Sequence, residues 1–93
     1  MAAVAGVRSA YATAAAATED VVTLSGGGDR PAEIINSGAN VLYARLDNVA
    51  AVAAADETSA VLPGERLSVN LAANGIVRII STAGTDYGVE VTG

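Results

Sequence analysis

From Glu19 onward the chain alternates apolar and polar residues in short runs, cut by Gly, Asn, Asp and Pro. In "VLYARLD" (41–47), Leu42, Ala44 and Leu46 alternate with Val41, Tyr43 and Arg45. In "RLSVNL" (66–71), Leu67, Val69 and Leu71 alternate with Arg66, Ser68 and Asn70. A period of two places successive side chains on opposite faces of a strand, so each run predicts one buried and one wet face. "DVVTLS" (20–25), "PAEIIN" (31–36), "TSAVL" (58–62), "IVRIIST" (76–82) and "YGVEVT" (87–92) fit the same pattern. Short strands punctuated by turn residues predict an all-β fold, a small antiparallel β-sandwich of jelly-roll-like type spanning residues 19–93. Pro63-Gly64 is a turn dipeptide. Asn74-Gly75, where both residues tolerate positive φ, predicts a hairpin between the runs beside it, and Asn36–Asn40 separates another pair of runs in the same way. "VAAVAAADE" (49–57) has no helix cap and no broad apolar stripe, and is read as a crossover loop with room for one helical turn.

Residues 1–18 differ in character: nine alanines, Gly6, one charge (Arg8) and one aromatic (Tyr11). A disordered tail and a helix weakened by Gly6 and Thr13 are both open readings. The reading carried forward is an extended N-terminal arm lying on a neighbouring subunit, anchored by Arg8 and Tyr11. The start lacks the charged segment of a signal peptide, so the chain is expected to be intracellular when made. No apolar run approaches the ~20 residues that span a bilayer, and no membrane partner is expected.

Composition tempers the apolar pattern. Of the 52% hydrophobic residues, 21 are alanine, so the core must come from six Leu, five Ile and most of twelve Val. So small a core favours association with copies of itself or with a larger partner. Ten acids against five arginines give −5, and Arg8, Arg30, Arg45, Arg66 and Arg78 are spread evenly along the chain. That balance repels phosphate backbones, so no nucleic-acid partner is expected.

Chemistry is narrowed further. Without His or Cys, zinc sites, Ser-His-Asp triads and thiol nucleophiles are excluded. "SGGGD" (25–29) lacks the Lys-Ser/Thr and following helix of a phosphate loop, and reads as an inter-strand turn. Asp47, Asp56, Glu57 and Asp86 lack the spacing of a calcium loop, and read as solvated turn acids. A carboxylate pair for glycoside hydrolysis would want aromatic platforms, and the chain has three Tyr and no Trp or Phe. Tyr43 and Tyr87 read as half-buried strand residues with hydroxyls at the wet rim. Arg45, Arg66 and Arg78 fall on the polar face, where Glu33 and Glu90 are their expected partners. No catalytic residue, cofactor or metal is expected; the candidate interaction residues are Arg8, Tyr11, Tyr43 and Tyr87.

Three stretches, "VVTLSGGGDRPAEIINSGANVLYARLD", "LPGERLSVNL" and "VRIISTAGTDYGVEVTG", carry a further signal. Their order is a Gly-rich turn, Glu-apolar-apolar-Asn-x-Gly, Leu-Tyr-x-Arg-Leu-Asp, Pro-Gly-Glu, Arg-Ile-Ile-Ser and Tyr-x-Val-Glu-Val. From about Glu19 to the end, the chain resembles small β-sandwich structural proteins of tailed bacteriophages. The resemblance implies a non-enzymatic virion protein made in the host cytoplasm, of capsid decoration or cement type. Its implied partners are the major capsid protein lattice and its own copies, with a trimer favoured. A tail or fibre-tip component and a carbohydrate- or surface-binding module are the alternatives.

Overall fold

A computed structural model of the chain describes residues 2–25, 29–46, 58–72 and 74–93. Nine strands follow in order: β1 (Ala2–Gly6), β2 (Ser9–Ala14), β3 (Asp20–Leu24), β4 (Arg30–Asn36), β5 (Leu42–Arg45), β6 (Ser59–Val61), β7 (Arg66–Leu71), β8 (Ile76–Ile80) and β9 (Thr85–Val91). They form a five-stranded sheet, β1-β3-β8-β5-β6, packed on a four-stranded sheet, β2-β9-β4-β7.

The pairing is nested. β5 pairs with β6, β4 with β7, β3 with β8 and β2 with β9, all antiparallel. Further antiparallel ladders join β4 to β9 and β5 to β8. Eight strands folded as one long hairpin and rolled into two facing sheets are a jelly roll, the architecture that the alternation predicted. β1 adds a fifth strand to one sheet, parallel to β3.

Two expectations are corrected by this topology. The turn after β4 and the Asn74-Gly75 turn do not close hairpins, because each carries the chain from one sheet to the other. Pro63-Gly64 also marks a change of sheet. It makes a type II turn, with Gly64 at φ 82° and the Glu65 amide donating to the Leu62 carbonyl at 3.0 Å. Of the described strands, only β5 and β6 are both consecutive and paired, and the link between them (47–57) lies outside the described residues. The crossover-loop reading of 49–57 and the triple glycine 26–28 therefore fall outside them too.

The second correction concerns the arm. Residues 2–14 are extended, but β1 and β2 pair within their own chain's sheets. β2 is the first strand of the roll itself, so position 18/19 does not divide an appendage from a sandwich.

The inward faces follow parity. Val22 and Leu24, Ala32 and Ile34, Leu42 and Ala44, Val77 and Ile79, and Val89 and Val91 meet between the sheets. Two polar features interrupt this apolar layer. Asp20 and Tyr87 are both buried, and the Tyr87 hydroxyl donates to Asp20 Oδ2 at 2.8 Å. Tyr87 is thus a core residue, not the half-buried rim residue expected; it shares parity with Val89 and Val91. Asn36, also fully buried, donates from Nδ2 to the Asn40 and Val61 carbonyls at 2.7 and 2.8 Å. Its Oδ1 accepts from the Gly38 amide at 3.2 Å and the Thr85 hydroxyl at 2.9 Å. Both donors and both acceptor positions are used, so this buried amide ties β4, β6, β9 and the following turn together.

Gly75, at φ 66°, packs directly on the Leu24 carbonyl, and its own carbonyl accepts from the Leu24 amide at 2.9 Å. A side chain there meets both a left-handed backbone and a fixed carbonyl. Gly75→Ala is expected to destabilise the fold by about 2 kcal/mol, read as a lower urea midpoint.

Candidate interaction faces

The outward residues of each sheet form rows set by register. On the four-stranded sheet, Tyr11 stands opposite Gly88, Gly88 opposite Ile35, and Ile35 opposite Arg66. The adjacent row runs Ser9, Glu90, Glu33, Ser68. Tyr11 is 58% exposed. Its ring lies over Gly88, where a Cβ would collide with ring carbons. Glycine in the middle of β9 therefore lets the aromatic ring lie flat across the ladder.

Glu33 and Glu90 face each other directly across β4 and β9, an arrangement of like charges that weakens a ladder. Arg66 partly offsets it through Nη1 to Glu33 Oε1 at 3.2 Å. At the end of the row beyond Tyr11, the Thr13 hydroxyl donates to Asp86 Oδ1. The face thus presents one broad aromatic surface, one half-buried isoleucine and a net negative charge.

The five-stranded sheet presents a different surface. Tyr43 stands opposite Ile80 on one side and Ala60 on the other, and Arg45 stands opposite Arg78. Arg78 Nη1 donates to Glu19 Oε1 at 2.9 Å, and both side chains are largely buried. The partner of Arg78 is thus Glu19 rather than the Glu33 or Glu90 expected, because those acids lie on the opposite sheet.

The four sequence candidates separate accordingly. Tyr11 is exposed on β2, the edge strand of the four-stranded sheet, with its ring over Gly88. Arg8, also exposed, donates from Nη2 to the Gly93 carbonyl at 3.3 Å, beside the edge where β2 meets β9. Tyr43 is half-buried on the other sheet, and Tyr87 is inside. They do not form one site. Gly88 and Ile35 were not singled out from sequence, and Glu33 and Glu90 were singled out only as partners of arginines, as Glu33 is for Arg66; the parity of "PAEII" and "YGVEV" places all four on one outward face.

Between the sheets, a cleft of about 230 Å³ is lined by Ile34, Ala44, Arg45, Leu46, Ser59, Leu67 and Val69. Its lining offers aliphatic packing surface, the Ser59 hydroxyl and the Arg45 side chain. Among the described residues, no three His, Cys, Asp or Glu side chains are grouped to hold a metal ion. Arg30 acts as a staple, donating to the Ser25 and Leu24 carbonyls at 2.8 and 2.9 Å and joining the end of β3 to the start of β4. In comparisons with known proteins, no family model matches the chain, and no curated protein matches it in sequence.

Proposed function

We propose that the chain is a non-enzymatic structural protein of a tailed-phage virion. In this reading it is a decoration or cement protein that binds the assembled head through the outer face of β2, β9, β4 and β7. The observation that carries the proposal is Tyr11 lying exposed across Gly88, flanked by Ile35 and the Glu33–Glu90 pair. An immobilised tyrosine gives a large contact area with little rotamer entropy to lose, and such residues dominate protein interfaces. The carboxylates select a basic partner surface and exclude an acidic one. Repetition over a symmetric shell multiplies a modest contact into firm attachment.

The resemblance to phage β-sandwich proteins supports the same reading. The residues that carry it are framework residues: Asn36 of "EIIN", Glu65 of "PGE", and Tyr87 of "YGVEV" are all engaged in internal hydrogen bonds. A body so braced presents its outer faces rigidly.

The test is co-sedimentation of purified protein with assembled heads that lack it, counting copies per head. Saturation at a fixed multiple of capsomers supports the proposal, and absence of binding overturns the head assignment. Tyr11→Ala is expected to lower head affinity roughly tenfold to thirtyfold while leaving the fold intact. Gly88→Ala should weaken binding similarly, because the new methyl displaces an exposed ring rather than backbone. Unchanged affinity in both variants would remove this face from the interaction.

A further inference from the structure

We propose that residues 2–14 exchange between two copies of this chain, each copy's β1 and β2 completing the sheets of the other. Four features lead there. First, this segment supplies an edge strand to each sheet: β1 is last in one and β2 in the other. The two strands therefore clip one side of the roll shut, and among the described residues no strand lies outside them in either sheet. Second, little holds them by side-chain burial. Their core contribution is Ala10 and Ala14, with Val4 and Ala12 partly buried against the cluster.

Third, backbone ladders hold them instead. β1 has five register partners on β3, and β2 has six on β9. Such ladders are indifferent to which chain supplies the strand. Fourth, the connector from β2 to β3 contains a strained residue. Ala17 is the one non-glycine among the described residues with positive φ, at 54°. It is held there by its amide donating to the Ser81 carbonyl at 2.8 Å, next to an Ala16–Ser81 bridge. An alanine in the left-handed region is disfavoured relative to an extended one.

In the exchanged dimer every strand contact recurs with a partner from the other copy. Those contributions cancel, so the equilibrium between closed monomer and exchanged dimer is decided by concentration and by the connector. Short connectors under strain favour the open arrangement, in which residue 17 is free to extend. The exchange is independent of what the Tyr11 face binds, because Tyr11 returns to a Gly88 in either form.

The chain contains no cysteine, which gives a clean test. Thr13 and Asp86 are register partners with touching side chains. In a Thr13→Cys/Asp86→Cys variant, a disulfide links residues within one chain if the segment is closed, and links two chains if it is exchanged. The variant is unfolded, refolded across a range of protein concentrations, oxidised and run on a non-reducing gel. Covalent dimer is expected, its fraction rising with concentration. Adding Ala17→Gly, which removes the strain of the closed form, is expected to cut the dimer fraction about five- to tenfold per hinge. Only intrachain disulfide at every concentration overturns the exchange, as does a dimer whose disulfides are all intrachain. If this pair prevents folding, Ser9→Cys/Glu90→Cys, also register partners, gives the same readout.

Discussion

Asn36→Ala is expected to destabilise the protein by about 4 kcal/mol, a large part of the roughly 5–14 kcal/mol available to a chain of this length. The residue lies under the end of the roll and is fully buried. Alanine would remove both amide donors and the acceptor oxygen together. The Asn40 and Val61 carbonyls, the Gly38 amide and the Thr85 hydroxyl would each lose a partner. Buried groups left without partners carry their full desolvation penalty, so the loss exceeds that of one ordinary bond. Urea unfolding followed by far-UV circular dichroism measures it. Thr85→Val removes a single member of the network and is expected to cost about 1 kcal/mol. Equal losses in the two variants would show that the network does not act through Asn36.

The second large effect is on alkaline stability. Burial, then the hydrogen bond to Asp20, then the Asp20 charge push the Tyr87 phenol far above its ordinary value near 10. In the unfolded chain that phenol ionises near pH 10, while in the fold it stays protonated. Unfolding then releases a proton, so the contribution of this group is complete below pH 10 and declines above it. The decline is about 1.4 kcal/mol per pH unit, or about 3 kcal/mol by pH 12. Tyr87→Phe should abolish this part of the slope. It should also lower stability at neutral pH by about 2 kcal/mol, since the buried Asp20 carboxylate loses its donor. Urea midpoints of both proteins between pH 8 and pH 12 decide the matter; parallel curves would contradict the assignment.

Much of the fold was legible because large aliphatic side chains and polar ones alternate so regularly from β3 onward. Leu42 and Ala44 against Tyr43 and Arg45 needed nothing but parity. The first two strands were not legible for the opposite reason. In "SAYATA" the inward positions are all alanine, whereas in "AAVAG" Ala3 and Ala5 face outward, so alanine marks the inner face of one strand and the outer face of the other. Turn residues misled in a different way at two places. Asn36–Asn40 and Asn74-Gly75 specify a local reversal of the chain, yet say nothing of whether the next strand joins the same sheet or the facing one. That choice rests on pairing between strands far apart in sequence.

The proposed interaction face was half legible. Tyr11 stood out as the lone aromatic of its segment, but its setting depends on a glycine 77 positions later in the chain, at Gly88. Asp20 could have been suspected: it shares parity with Val22 and Leu24, which marks a carboxylate aimed inward and in need of a donor. Tyr87, in step with Val89 and Val91, was the donor.

The nested order of pairs also sets a schedule. Within this nest β5 and β6 are the pair nearest along the chain; each surrounding pair closes a longer loop than the one inside it, and β2–β9 closes the longest. Loop closure of this kind slows folding, which places the protein among slow, high-contact-order folders. On a ribosome, β2 must wait until β9 has been made, because even its nearest register pair, Ala14 and Thr85, lies 71 positions apart. Through that interval the growing chain carries an unpaired β2.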